Sequence, residues 1–147
     1  MERTFVMLKP GVLHRRIMGE ILNRFERKGF KIIALKMIRM DKKIAETHYA
    51  EHKGKKFYQE LVDYTCSGPI VAMILEDKDA VSKVRRMIGS TNVNDSLPGT
   101  IRGDFASSTT LNIVHASDSN ASADREIPLF FKPEEMCLWE DGNQAWF

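Results

Sequence analysis

The chain has 147 residues, 43% of them hydrophobic and 29% charged, with a formal net charge of +2 at pH 7. That length suits one domain, residues 1–147, able to bury a sizeable core without staples; the apolar content excludes disorder, and so small a net charge gives no sign of a nucleic-acid surface. The longest apolar run, residues 69–75, falls far short of the ~20 needed to span a bilayer, and FVML near the amino terminus is too short for a signal-peptide core, so neither a membrane partner nor secretion is expected.

Residues 4–8 read as a short buried strand stopped by Pro10-Gly11. From Ile17 the spacing turns helical, with Ile17, Met18, Ile21, Leu22 and Phe25 on one face and Lys28-Gly29 as the stop. Residues 30–38 alternate as a second strand. Residues 41–64 hold two short helices parted near Gly54, the first turning Ile44, Ala45, His48 and Tyr49 inward and the second running through Phe57, Leu61 and Tyr64. Residues 70–75 are a wholly apolar third strand, and Asp77 is the N-cap candidate for an amphipathic helix ended by Gly89.

Residues 90–111 have no sustained period and are dense in Asn, Ser, Thr, Gly and Pro. They form a linker or a long ordered loop, and Leu97, Ile101 and Phe105, all able to be buried, favour the ordered functional loop. Asn112-Ile113-Val114 then leads into His115, and Ser117, Asp118 and Ser119 offer caps for a brief helix ending near Arg125. Residues 127–131 read as a last strand, with Pro128 confining it to a sheet edge, and residues 132–147 are a polar tail with two tryptophans. The order gives an α/β (α+β), ferredoxin-like βαββαβ plan: a four-stranded antiparallel sheet with its helices on one face. Cys66 and Cys137 have no second Cys or His at ligand spacing, so two reduced thiols of a cytoplasmic protein are expected.

Neither a Walker A string nor G-x-G-x-x-G is present, so any phosphate must be held by side chains. The candidates are Lys9 at the end of the first strand, Arg85 in the last turn of a helix, Thr91 just past it, and Arg102 in TIRGD. A solvated surface charge is the plain alternative for each, but an apolar strand aims Lys9 and a tight loop aims Arg102. His115 follows an apolar strand and opens a helix start, where it is either a satisfied core histidine or a nucleophile toward phosphorus. The second role needs one bare nitrogen and an acceptor for the proton on the other. Glu126 is the candidate acceptor, with Ser117 able to hold Glu126 in turn; His14, His48 and His52 read as surface or packing residues.

The segments TFVMLKP, MGEILNRFERKGFKIIALKM, SGPIVAMILE, PGTIRGDF and NIVHASDS occur in an order and spacing that resemble the nucleoside diphosphate kinase family over nearly the whole chain. The resemblance implies ping-pong transfer of the γ-phosphoryl of a nucleoside triphosphate, such as ATP, to a nucleoside diphosphate through a phosphohistidine on His115. It implies that Lys9 reaches the transferred group, that Arg85, Arg102 and Thr91 hold the distal phosphates, that Asn112 contacts the sugar, and that Tyr49 lies beside the phosphates. Phe57 and Thr109 would clamp the base by stacking, which tolerates purines and pyrimidines alike. Mg²⁺ would arrive bound to the nucleotide, with Asp118 touching its shell. A homo-oligomer is implied, and the tail favours a hexamer over a tetramer.

The sequence departs from that family's usual pattern at Gly11, where Asp or Asn is general, at Arg16, where glycine is common, at Val93, where many members have proline, and at Thr109, which replaces an apolar clamp residue. Two rivals remain. An RNA-recognition module needs an aromatic-rich string on its third strand that IVAMIL lacks. A member that keeps the fold without turnover would have relaxed one of His115, Lys9, Arg85 and Arg102.

Overall fold

Four strands, β1 (Glu2–Leu8), β2 (Lys31–Arg39), β3 (Pro69–Asp77) and β4 (Val114–Ala116), pair antiparallel in the order β2-β3-β1-β4 in the computed structural model, which describes residues 1–147. The expected ferredoxin-like sheet is therefore present, with β1 and β3 at its centre. Seven helices cover it: α1 (Pro10–His14), α2 (Met18–Lys28), α3 (Lys42–His48), α4 (Tyr58–Cys66), α5 (Ala80–Ile88), α6 (Ile101–Phe105) and α7 (Asn120–Phe130).

The helices lie on both faces of the sheet, not on one. Ile21 and Phe25 of α2, with Val84 and Ile88 of α5, pack against Val6, Leu8, Val71, Met73 and Leu75. Ala45 of α3, Leu61 and Val62 of α4 and Phe130 of α7 pack against Phe5, Met7, Ile70, Ala72 and Ile74 on the other side. The cause is in the central strands, which are apolar at successive positions and so have no face that can be left to water. Phe5, Met7 and Phe25 are fully buried, and each such side chain contributes about 1.5–3 kcal/mol.

Two helix boundaries follow from the backbone. Asp41 caps α3 by accepting the N–H groups of Lys43 and Ile44. Gly29, at φ +99°, ends α2 in the left-handed region. Asp77 does not cap α5: it closes β3, accepts the N–H of Asp79 at 3.1 Å and pairs with Lys83 at 2.5 Å, and the helix starts at Ala80.

Residues 90–111 are ordered, with a 3₁₀ turn at Val93–Asp95 and then α6, capped by Thr100. Ile101 anchors this segment with no exposure at all, whereas Leu97, expected to be buried, is 72% exposed. The strand expected at 127–131 is the last turn of α7. Ser119 caps this helix, and Ala123, Glu126 and Phe130 recur along its buried side. Pro128 lies inside the helix on its exposed side, so the Asp124 carbonyl it leaves unpaired can bond water. The fourth strand is instead the three residues around His115.

The tail is tied to the β2 edge. The Cys137 N–H donates to the Ile33 carbonyl at 2.7 Å, and Lys31 lies 4.8 Å from the centre of the Trp139 ring, while Trp146 stays 82% exposed. Both cysteines are free thiols, and no helix is long and apolar enough to cross a membrane.

Candidate active site

At one end of the sheet β1 and β4 open into a cavity of about 390 Å³, lined by every candidate catalytic, nucleotide-binding or metal-shell residue named from the sequence except Ser117. That volume suits a small organic ligand. The strand β1 delivers Lys9, whose N–H is fixed to the Ile113 carbonyl at 2.9 Å; α5 delivers Arg85; the ordered loop delivers Thr91, Arg102, Thr109 and Asn112. The α3 end and the segment behind it supply Tyr49 and Phe57.

His115 sits in the middle of β4, opposite Met7, with Val114 and Ala116 buried on either side. Strand alternation therefore turns its half-buried ring to the α7 side, where Nε2 is bonded to Glu126 Oε2. Nδ1 makes no hydrogen bond. Glu126 is 4% exposed, and its Oε1 has no partner. Ser117 does not supply one, because its buried hydroxyl accepts the Phe5 N–H at 3.3 Å and so holds the end of β4 to β1.

The three cations differ in setting. Lys9 is 3% exposed and has no carboxylate partner; burial, with Arg102 nearby, brings its pKa down to about 7. Arg102 donates from Nη1 to the Gly89 carbonyl at 3.2 Å and from Nη2 to the Val114 carbonyl at 2.9 Å, leaving its buried Nε unpartnered. Burial and then Arg85 lower its pKa to about 10, so it stays charged at neutral pH. Arg85 donates to the Ala116 carbonyl at 3.2 Å and to Thr91 Oγ1 at 3.3 Å. Three converging cations, none of them ion-paired to a protein carboxylate, suit a polyphosphate.

Tyr49 lines the cavity with its ring, 5.8 Å from Lys9 Nζ, while its hydroxyl is hydrogen-bonded to Thr65 at 3.1 Å. Burial pushes that hydroxyl up to about 12, so it does not serve as a base near neutral pH. Asn112 donates to the Thr109 carbonyl at 2.8 Å and accepts the Val114 N–H at 3.2 Å, bracing the approach to His115. Phe57 is 39% exposed at the mouth, and Thr109 Oγ1 accepts the Val93 N–H at 3.1 Å.

His48, read from the sequence as a packing or surface residue, is buried in the site: its ring centre lies 4.5 Å from that of His115, and its Nδ1 lies 3.5 Å from Glu126 Oε2. A histidine closing an amphipathic helix has the spacing of a core residue, so nothing in the pattern marked it. Ligating atoms of His48, His115 and Glu126 lie within 4.8 Å of one another and could hold a metal ion. With two imidazole nitrogens beside one carboxylate the set is poor for Mg²⁺, which takes oxygen ligands. An oxygen donor is available elsewhere in the cavity in Asp118, whose carboxylate is held by Ser122 at 2.5 Å and Ser119 at 3.3 Å and has its pKa lowered by those bonds.

The profile of the nucleoside diphosphate kinase family matches residues 2–136. A nucleoside diphosphate kinase of Archaeoglobus fulgidus is 52% identical over 146 residues, covering 99% of this chain and 97% of that protein, and one of Methanocaldococcus jannaschii is 55% identical over 135 residues, covering 92% and 96%. Among solved structures, a nucleoside diphosphate kinase of Halobacterium salinarum in complex with CDP superposes with a TM-score of 0.96 at 43% identity, covering 99% of this chain and 97% of that one. A nucleoside diphosphate kinase family protein of Babesia bovis gives 0.95 at 44%, covering 99% of both.

Proposed function

The chain belongs to the nucleoside diphosphate kinase family, and from that premise we propose which of its residues carry out the phosphotransfer through a phosphohistidine. His115 is the nucleophile. Its Nε2 proton is held by Glu126, so the lone pair is on Nδ1. That pair attacks the γ-phosphorus of a nucleoside triphosphate; the N–P bond forms as the bond to the bridging oxygen breaks, and the diphosphate leaves. A second nucleoside diphosphate then takes the phosphoryl back from Nδ1 by the reverse step.

Lys9, Arg85 and Arg102 compensate the charge on the transferring and bridging oxygens, with Thr91 and Asn112 as polar contacts to phosphate and sugar. Tyr49 contributes a ring wall beneath Lys9. Phe57 and Thr109 hold the base at the open mouth, and stacking on Phe57 without edge-reading groups supports broad base tolerance. That the Halobacterium relative binds CDP supports a nucleotide in this cavity. Mg²⁺ bound to the phosphates neutralises them further when present, and Asp118 would touch its shell.

The observation that carries this reading is the pairing of a carboxylate-held Nε2 with a free Nδ1, in a cavity with three cations from separate stretches of chain. Incubation with γ-labelled ATP and Mg²⁺ gives labelled protein that is stable to alkali and lost in acid, and a GDP chase moves the label to GTP. Labelling of His115→Gln, or no labelling of the wild type, overturns the assignment.

The chain acts as one domain, residues 1–147, a reading supported by two cores that share one sheet. A homo-oligomer is supported by Leu35 and Met37, 50% and 57% exposed on the edge strand β2; the tail through Trp139 and Trp146 favours a hexamer over a tetramer, and sedimentation distinguishes the two. The two free thiols support a cytoplasmic location.

A further inference from the structure

We propose that His48 is a positioning residue for the phosphotransfer: it gives its Nδ1–H to the Glu126 oxygen that also holds Nε2 of His115, and so fixes the carboxylate while His115 takes the phosphoryl group. The inference rests on His115 being the nucleophile and goes beyond it.

Glu126 is a buried carboxylate with one strong partner. Its Oε2 meets His115, its Oε1 has no partner, and His48 Nδ1 lies 3.5 Å from Oε2. His48 has a complementary deficit, since both of its ring nitrogens are buried without a hydrogen bond and its side chain is 1% exposed. The unpartnered Nδ1 therefore lies 3.5 Å from an oxygen that has a second lone pair beside its bond to His115, and an N–H given to it relieves the desolvation cost that a buried ring bears alone. The rings of Phe5, Tyr49 and Phe130 pack around His48 at 4.7 to 6.1 Å between centres, so it can tilt but not leave. Burial holds its pKa well below the ordinary histidine value, with His115 and Lys9 adding to the effect, so the ring is neutral and has one N–H to give.

The chemistry says when that N–H is needed. Before attack, His115 is neutral and donates Nε2–H to Glu126. As the Nδ1–P bond forms and the P–O bond to the leaving diphosphate breaks, the Nε2 proton stays in place and the imidazole becomes cationic. Glu126 must then remain an anion, correctly turned, and His48 supplies the second donor that keeps it so. A cationic His48 would repel the imidazolium forming on His115, whose ring centre is 4.5 Å away, and the apolar packing around the His48 ring keeps it neutral.

Two substitutions separate this role from simple packing. His48→Phe keeps the ring and loses the donor; His48→Gln loses the ring and keeps a neutral donor. The measurement is single-turnover phosphorylation of the full chain by ATP and Mg²⁺, with nucleotide affinity measured alongside. The expected result is a rate for His48→Phe lower by about tenfold or more with affinity unchanged, and a smaller loss for His48→Gln, as follows from removing or keeping a hydrogen bond to a charged group. Equal losses, or a Phe variant faster than the Gln variant, overturn the proposal. A second measurement needs no variant: ¹⁵N shifts of the wild-type His48 ring place its proton on Nδ1 if the proposal is right, and a proton on Nε2 overturns it. Failure of the wild type to label at all counts against His115 instead and is seen in the same experiment.

Discussion

Arg102 Nη2 donates to the carbonyl of Val114 at 2.9 Å, which fastens a cation from the loop to the residue immediately before His115. Its Nη1 holds the Gly89 carbonyl at 3.2 Å, at the point where α5 ends. One guanidinium thus joins the helix end, the loop and β4 while facing the cavity. Arg102→Lys keeps the charge but not the planar fork. We expect kcat/KM to fall by about 10²–10³ in that variant, as for loss of a preorganised transition-state donor, with a lower Tm because two carbonyls lose a partner. Steady-state kinetics and a thermal melt measure the two effects, and an unchanged kcat/KM would contradict the role.

Lys9 is expected to couple nucleotide binding to proton uptake. Its pKa is about 7 in the folded chain and 10.5 in the unfolded one, so between those values the unfolded chain binds more protons. The stability from this group is therefore complete above pH 10.5 and is lost as the pH falls to 7. A bound polyphosphate reverses the preference and recharges the amine. At pH 8 binding of a nucleotide is expected to take up about one proton per site through this group, measurable by calorimetry in buffers of different ionisation enthalpy. The uptake should be absent in Lys9→Met.

Glu126→Ala removes the acceptor that orients His115 and leaves the cations in place. Phosphorylation by ATP is expected to slow by about 10² or more, with nucleotide affinity nearly unchanged. A large loss of affinity at an unchanged rate would mean that Glu126 serves binding instead.

Much of this architecture can be read in the residues themselves. The amphipathic faces of α2 and α5 have helical period because each buries one side against the sheet, whereas the strands around Phe5 and Met73 are continuous apolar runs. The same runs, apolar at successive positions, contained the information that both faces are covered. Pro128 misled at α7, because a proline on the exposed side of a helix costs little when water can reach the carbonyl it frees. That Lys9 and Arg102 point into the cavity was legible because strand ends and glycine-bounded loops fix direction. His48 and Ser117 were not, since what their side chains meet depends on how α3 and β4 dock onto β1, and spacing along the chain carries none of that.

Arg16 has φ +57°, the left-handed region, and is the only residue other than glycine to adopt it. Side chains there crowd the backbone; the turn lets the Arg16 and Ile17 N–H groups close on the Leu13 and Val12 carbonyls, both at 3.2 Å, and glycine would make the same bonds without the crowding. The resemblance placed glycine as the common residue at this position. Arg16→Gly is expected to stabilise the chain by about 0.5–1 kcal/mol after the glycine's own entropy in the unfolded state is counted, seen as a higher Tm with unchanged activity.

Val93 and Thr109, two further departures from the family pattern, are partners. The Val93 N–H donates to Thr109 Oγ1 at 3.1 Å, and the same hydroxyl donates to Asn92 Oδ1 at 3.4 Å. A proline at 93 has no N–H, and an apolar residue at 109 has no acceptor, so the usual pair cannot make this bond and this pair can. Asn92 already holds φ −77° and ψ 115°, the extended backbone that a following proline requires. Val93→Pro alone therefore gains about 0.4–1 kcal/mol by restricting the unfolded chain and loses a hydrogen bond worth about 0.5–1.5 kcal/mol, for a net effect near zero or unfavourable. In a Thr109→Val background the bond is already gone, and the same proline should stabilise. A double-mutant cycle on Tm or denaturant midpoint is expected to give a coupling of about 0.5–1.5 kcal/mol; strict additivity would show that the two substitutions are independent and that the loop is held by Ile101 and Arg102 alone.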